Sequence, residues 1–236
     1  MSVIDFHSHI LPGMDDGSRD VNTSLEMLSI SQAQGVDQII ATSHFYAEKE
    51  RVDSFLQRRQ SAYEELMAAR TELVPKIYLG AEVYFFTGIS QAEATAQLCI
   101  EGTNLMLLEM PFTTWSSSVI DEVQTLIQKR GMRIIIAHLE RYLHIPGNKP
   151  WIDRLLNLPV IVQINAGSLL DWRTRGSLVK MFKNGTARLL GSDCHSVHRR
   201  PPDLADGRAV LEKKLGNDIL QQIDQLGEEL LHYENI

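Results

Sequence analysis

The chain has 236 residues, 44% of them apolar and 22% charged, enough to bury a full core in one barrel-sized domain over 1–236. Its 23 basic and 30 acidic side chains leave a net charge of −7, which argues against a broad nucleic-acid-binding surface and confines any phosphate recognition to a local pocket. No run reaches the ~20 apolar residues of a membrane span, the N-terminus has no basic flank, and Cys99 and Cys194 are too few for a disulfide framework, so a cytoplasmic protein is expected.

Short apolar runs alternate with longer helical patterns. Seven strands are expected, at 3–6, 36–42, 76–81, 104–108, 133–137, 160–164 and 187–190. Between the first two, Thr23-x-x-Glu26 resembles a capping box and Gly35 suits a helix stop. Phe55, Leu56, Tyr63, Leu66 and Met67 form a helical stripe after the second strand; Ile120, Val123, Leu126 and Ile127 form another that ends at Gly131. Ile219, Leu220, Ile223, Leu226 and Leu230 share one face of a last helix, read as packing on the body of the domain. Strand-helix alternation favours parallel pairing, and no linker marks a domain boundary.

Polar residues gather where the strands end. His7 and His9 follow the first, His44 the second, Glu82 the third, Glu109 the fourth, His138 the fifth, and Asp193 with His195 the seventh. In a parallel barrel those ends open on one face, so the eight side chains would converge. A lone His-x-His is ordinary surface, but packing does not explain imidazoles and carboxylates at six strand ends, because buried carboxylates are costly unless paired or metal-bound. Such ligands suit Zn, Fe or Mn. Asp15-Asp16-Gly17 reads by itself as a turn, and spacing does not choose between the two aspartates. His144, His198 and His232 fall outside the pattern and are taken as surface residues.

The opening stretch Asp5-Phe6-His7-Ser8-His9-Ile10-Leu11-Pro12-Gly13-Met14-Asp15-Asp16-Gly17 resembles the first motif of the polymerase and histidinol phosphatase (PHP) family. It is similar in particular to the bacterial tyrosine phosphatases encoded with capsule and exopolysaccharide genes. The likeness continues through Ala41-Thr42-Ser43-His44, Gly80-Ala81-Glu82-Val83-Tyr84, Leu108-Glu109, Ile136-Ala137-His138-Leu139-Glu140-Arg141-Tyr142 and Gly191-Ser192-Asp193-Cys194-His195. It implies an α/β fold, a distorted seven-stranded (β/α)7 TIM-like barrel, with three divalent ions, typically manganese. By that likeness His7, His9, Glu82 and Asp193 would hold one ion, and Asp16, His44 and His195 a second. Glu82, Glu109 and His138 would hold the third, so that Glu82 bridges. Arg141 and Arg200 would take the phosphate, as guanidinium forks do. Metal-activated water would then attack phosphotyrosine on a bacterial tyrosine kinase that controls polysaccharide assembly.

Other chemistries compete. Cys194 and Arg200 satisfy the Cys-x5-Arg spacing of thiolate phosphatases, but the intervening loop has no glycine and Pro201-Pro202 follows it, a poor phosphate cradle. A small-molecule phosphatase, such as one for histidinol phosphate, would use the same metal chemistry. The acidic balance disfavours a nuclease. A non-catalytic, metal-dependent regulator that binds a phosphoprotein would not need the full ligand set with both arginines. Tyr84, Phe85 and Phe86 follow Glu82 as candidates for a phosphotyrosine seat, though packing explains three such aromatics more simply.

Overall fold

The computed structural model describes residues 1–70 and 74–232. Strand β1 (Ile4–Ser8) leads into helix α1 (Val21–Ala33). Asp20 caps that helix, its carboxylate accepting from Thr23 N and Thr23 Oγ1, both at 2.8 Å. The capping residue is therefore Asp20 rather than Thr23, and the helix starts earlier than the Thr23 pattern suggests.

Beyond the second and third expected strands, 36–42 and 76–81, the structure adds a further short strand each time. β2 (Gln38–Ala41) stops and β3 (His44–Phe45) restarts, then after α2 (Val52–Ala69) the same happens between β4 (Lys76–Leu79) and β5 (Glu82–Tyr84). The two breaks lock onto each other: Glu82 N donates to Thr42 O and Ser43 O at 3.1 Å, and Gly80 N to Ala41 O at 2.9 Å. Beyond them come β6 (Leu105–Glu109), α3 (Ser117–Gln128), β7 (Arg133–Ile136), α4 (Lys149–Leu156), β8 (Ile161–Asn165), α5 (Trp172–Lys183), β9 (Leu189–Gly191), α6 (Leu204–Leu215) and α7 (Asn217–Leu231).

The fold is α/β with parallel pairing throughout. Among the described residues the strands form a three-stranded sheet, β1-β2-β4, and a curled six-stranded sheet, β3-β5-β6-β7-β8-β9. The first strand also meets the segment after the last one. Ser8 pairs with Cys194, Asp193 N donates to His7 O at 2.7 Å, and His9 N donates to Cys194 O at 2.9 Å.

Side-chain alternation along the strands separates two apolar regions. One set, with Ile4, Phe6, Ile40, Leu105, Leu107, Ile135, Ile161 and Leu189, lines the inner face and is covered by Leu226, Leu230 and Leu231 of α7. The other set lies between the sheets and the outer helices and includes Ile39, Met106, Leu108, Ile134 and Ile136 with Phe55, Ile120 and Val123. Following the inner positions toward the strand ends, Ile161 gives way to Gln163 and Asn165, and Leu107 to Glu109. The interior thus grades from an apolar floor under α7 to a polar mouth. None of the described helices is long and apolar enough to cross a membrane.

Two glycines test this packing with opposite signs. A Cβ at Gly191 would lie 2.5 Å from His7 Cβ and 2.9 Å from Gln163 Nε2, whereas one at Gly176, exposed within α5, would meet nothing within 4 Å. Urea denaturation should show Gly191→Ala losing about 1–3 kcal/mol and Gly176→Ala gaining about 0.5–1 kcal/mol.

Candidate metal centre

The nine expected ligands come together at the mouth. His7 and His9 leave β1, Glu109 ends β6, His138 follows β7, and Asp193 and His195 follow β9. His44 and Glu82 open β3 and β5, so both begin short strands that the sequence reading missed. Glu82 is the hub. Its Oε2 lies 3.1 Å from His7 Nε2, 3.2 Å from His9 Nε2 and 3.1 Å from His44 Nδ1, and its Oε1 lies 2.8 Å from His138 Nε2. Asp193 Oδ1 stands 3.4 Å from Nε2 of both His7 and His9. Glu109 approaches His138 Nε2 at 3.4 Å and His44 Nδ1 at 3.7 Å. Asp16 Oδ1 is 3.5 Å from His195 Nε2 and 3.6 Å from His44 Nε2.

These approaches are close without being hydrogen bonds in every case. Glu82 Oε2 and His44 Nδ1 are buried and have no directed partner. Three sets of donor atoms lie within 4.8 Å of one another: His7, His9, Glu82 and Asp193; His9, Asp16, His44 and His195; and His44, Glu82 and Glu109. The donor chemistry and the orphaned atoms fit divalent cations.

A second layer aims the rings. His7 Nδ1 meets Gln163 Oε1 at 3.2 Å, His9 Nδ1 meets Asp15 Oδ2 at 2.9 Å, and His195 Nδ1 meets Asp193 O at 2.9 Å. With Nδ1 donating, each ring presents an Nε2 lone pair to the centre, as in metal sites. Asp15 also accepts from Gly17 N at 2.9 Å and His44 N at 2.8 Å, which separates the two aspartates: Asp15 braces, and Asp16 faces the imidazoles. Gly17 has to be glycine here, because a Cβ would overlap Cβ of His9.

Gln163 and Asn165 were not picked out from the sequence. Gln163 Oε1 accepts from His138 N at 2.8 Å, Gln163 Nε2 donates to Asn165 Oδ1 at 2.9 Å, and Asn165 Nδ2 donates to Asp193 Oδ2 at 2.6 Å. Their signal was two amides at alternate positions of a buried strand. His138 and Asp193 have φ of 32° and 54°, the left-handed region that non-glycine residues rarely occupy, so this network holds both candidate ligands in strained backbone.

The charges are mutually supported. Burial pushes the Glu82 and Asp193 carboxyls up, but neighbouring histidines, His7 foremost, hold both well below the usual range. Burial pulls His9 and His138 down, yet carboxylate partners raise both, His138 to about 9. His44 is lowered by burial, and His195 falls to about 4 through burial, His9 and Arg200.

Asp193 Oδ2 also receives the two candidate arginines: Arg141 Nη2 at 2.8 Å and, in a very short contact, Arg200 Nη2. Arg200 Nη1 lies 2.9 Å from His195 Nε2. Both guanidinium side chains remain more than a third exposed. The Cys-x5-Arg loop is no phosphate cradle, since His195 N and Ser196 N both donate to Arg200 O. Cys194 is fully buried, and burial pushes its thiol up to about 12. His144, His198 and His232 are exposed, as expected. Of the three aromatics after Glu82, Phe85 is buried in the core and Phe86 lines a separate surface groove. Tyr84 packs on Tyr46, which in turn lies 5.2 Å from the His44 ring.

Parallel strands whose carboxyl ends pool imidazoles, carboxylates and arginines define a class, α/β proteins with a candidate metal-binding face. The comparisons narrow it. The model of the family "Capsular polysaccharide synthesis, CpsB/CapC" matches residues 3–229, and the chain belongs to that family. It is 30% identical over 210 residues to the putative tyrosine-protein phosphatase CapC of Staphylococcus aureus, covering 84% of this chain and 79% of that one. It is 26% identical over 238 positions to the tyrosine-protein phosphatase YwqE of Bacillus subtilis, covering 99% and 93%. A crystal structure from the work on YwqE and Streptococcus pneumoniae CpsB, described as unique metal-dependent tyrosine phosphatases, superposes with a TM-score of 0.86 at 27% identity, covering 99% and 96%.

The cationic state of His9 and His138 gives a test. A ligating nitrogen must be deprotonated, so cation uptake at neutral pH should release protons, and apparent affinity should rise as pH rises toward about 9, where His138 gives up its proton. Calorimetric titration with manganese in buffers of different ionisation enthalpy measures the release. Identical heats in all buffers at pH 7 would contradict it.

Proposed function

We propose that this protein is a cytoplasmic, manganese-dependent protein-tyrosine phosphatase. Its substrate is phosphotyrosine on a bacterial tyrosine kinase that regulates capsular or extracellular polysaccharide synthesis. The observation that carries the reading is Glu82 Oε2, buried, within 3.2 Å of three imidazole nitrogens and without a directed hydrogen bond. A carboxylate oxygen so surrounded suits shared ligation of cations rather than an ion-pair network. The names of the relatives support phosphotyrosine as the substrate.

On this reading the nine strand segments among the described residues fill seven barrel positions in one domain. β2 with β3 and β4 with β5 would each count as one position, and the isolated Ser8–Cys194 bridge supports a closed ring. His7, His9, Glu82 and Asp193 would hold one ion, Asp16, His44 and His195 a second, and Glu82, Glu109 and His138 a third; His44 also groups with Glu82 and Glu109, and His138 Nε2 lies 2.8 Å from Glu82 and 3.4 Å from Glu109. Bound there, divalent ions supply activated water and offset charge on the transferring phosphoryl group. Imidazole-rich donor sets favour manganese over magnesium. Asp193 gathers Arg141 and Arg200 beside the cluster, where their guanidiniums take phosphate oxygens. Asp15, Gln163 and Asn165 keep the ligand rings and Asp193 in place.

Protein stripped by a chelator should lose turnover of a phosphotyrosyl peptide and regain it with manganese more fully than with magnesium. His7→Ala should lose at least roughly a hundredfold in kcat/KM, while Cys194→Ser keeps most activity because its thiol takes no part. A dead Cys194→Ser protein with its full metal complement, beside an active His7→Ala protein, would overturn the mechanism.

A further inference from the structure

The segment after β6 holds an aromatic side chain against the metal centre and leaves it half in solvent. Phe112 is 47% exposed. Its ring lies 6.0 Å from the His138 ring with planes 24° apart, and 5.2 Å from the Tyr142 ring. We propose that Phe112 forms a wall of the seat for the aryl ring of the substrate's phosphotyrosine, an inference that rests on the phosphatase reading above.

A single exposed apolar residue is ordinary on a protein surface. What sets Phe112 apart is how firmly the chain on either side of it is pinned. On one side Met110 N donates to the Tyr142 hydroxyl at 3.0 Å, and Tyr142 is fully buried. On the other, Trp115 N donates to Asn148 Oδ1 at 2.7 Å, Trp115 Nε1 donates to Pro111 O at 2.8 Å, and the indole packs 5.3 Å from Tyr142. The backbone is fixed by buried partners while the phenyl ring itself is withheld from the core.

Its position matches the substrate. Phe112 stands three residues beyond Glu109, beside His138, and both of those line the cluster. In a phosphotyrosyl ester one oxygen separates phosphorus from the ring, so a phosphate engaged by the cluster and its arginines puts that ring at the rim. Aromatic pairs favour offset or edge contacts over centroid separations of about 4.5–7 Å, and Phe112 supplies such a partner with little ordering left to do. Of the aromatics after Glu82, Phe85 is core, Phe86 faces another groove, and Tyr84 is packed on Tyr46.

The test compares wild type, Phe112→Ala and Phe112→Tyr, all manganese-loaded. Phe112→Ala should raise KM for a phosphotyrosyl peptide about tenfold and leave the inhibition constant of inorganic phosphate unchanged, since phosphate lacks the ring. Phe112→Tyr should restore KM. Equal weakening of peptide and phosphate would make Phe112 only a prop for His138 and overturn the seat, as would unchanged KM. Calorimetric binding of a peptide carrying non-hydrolysable phosphonomethyl-phenylalanine separates the two levels. Equal affinity in wild type and Phe112→Ala sinks the seat alone. Tight, Phe112-dependent binding without any hydrolysis of phosphotyrosine supports the seat and sinks the phosphatase reading.

Discussion

Three buried carboxylates within reach of the same few imidazoles set the terms for the mouth of this fold. Glu82, Glu109 and Asp193 are each almost fully buried, and an uncompensated charge in such a place costs several kcal/mol. Protons on His9 and His138 offset part of that charge. The arginines at Asp193 offset more, but Glu82 Oε2 still has no directed partner. On the proposed reading, cations would complete the balance, and the same cations would make phosphoester hydrolysis available. Stability and chemistry therefore depend on one arrangement of charge.

The fold delivers that arrangement by grading its inner face. Leu226, Leu230 and Leu231 of α7 seal the apolar end, so polar side chains are affordable only at the other. Behind the cluster, hydrogen bonds tie the first strand to the segment after the last. The Asp5 carboxylate accepts from His7 N at 3.2 Å, Ser192 N at 2.8 Å and Ser192 Oγ at 2.6 Å, which couples the first ligand motif to the last. Left-handed backbone at His138 and Asp193 persists because Gln163 and the pairing at His7 O hold those residues from behind. A site braced in this way is set before substrate arrives.

Much of this was legible in the sequence, and what was not has physical reasons. The seven apolar runs mark where strands lie, because burial on both faces selects near-continuous apolar stretches. Polar residues ending those runs stood out as a cluster for the same reason. The short strands that restart at His44 and Glu82 were hidden, since the apolar runs end at Thr42 and Ala81 and strands of two or three residues carry no periodic signal. Asp15 and Asp16 are indistinguishable by spacing and differ only in which partners the folded loop gives them. Gln163 and Asn165 act through other residues, and Phe112 matters through exposure; periodicity reports neither.

Whether the cluster binds metal with Glu82 shared decides the chemistry of this fold. Anomalous diffraction at the manganese absorption edge, on crystals of the manganese-loaded protein, locates the ions directly. Peaks are expected among His7, His9, Glu82 and Asp193, among Asp16, His44 and His195, and among Glu82, Glu109 and His138, with Glu82 bridging two of them. An active, manganese-loaded protein whose anomalous density lies away from Glu82 would contradict that bridging.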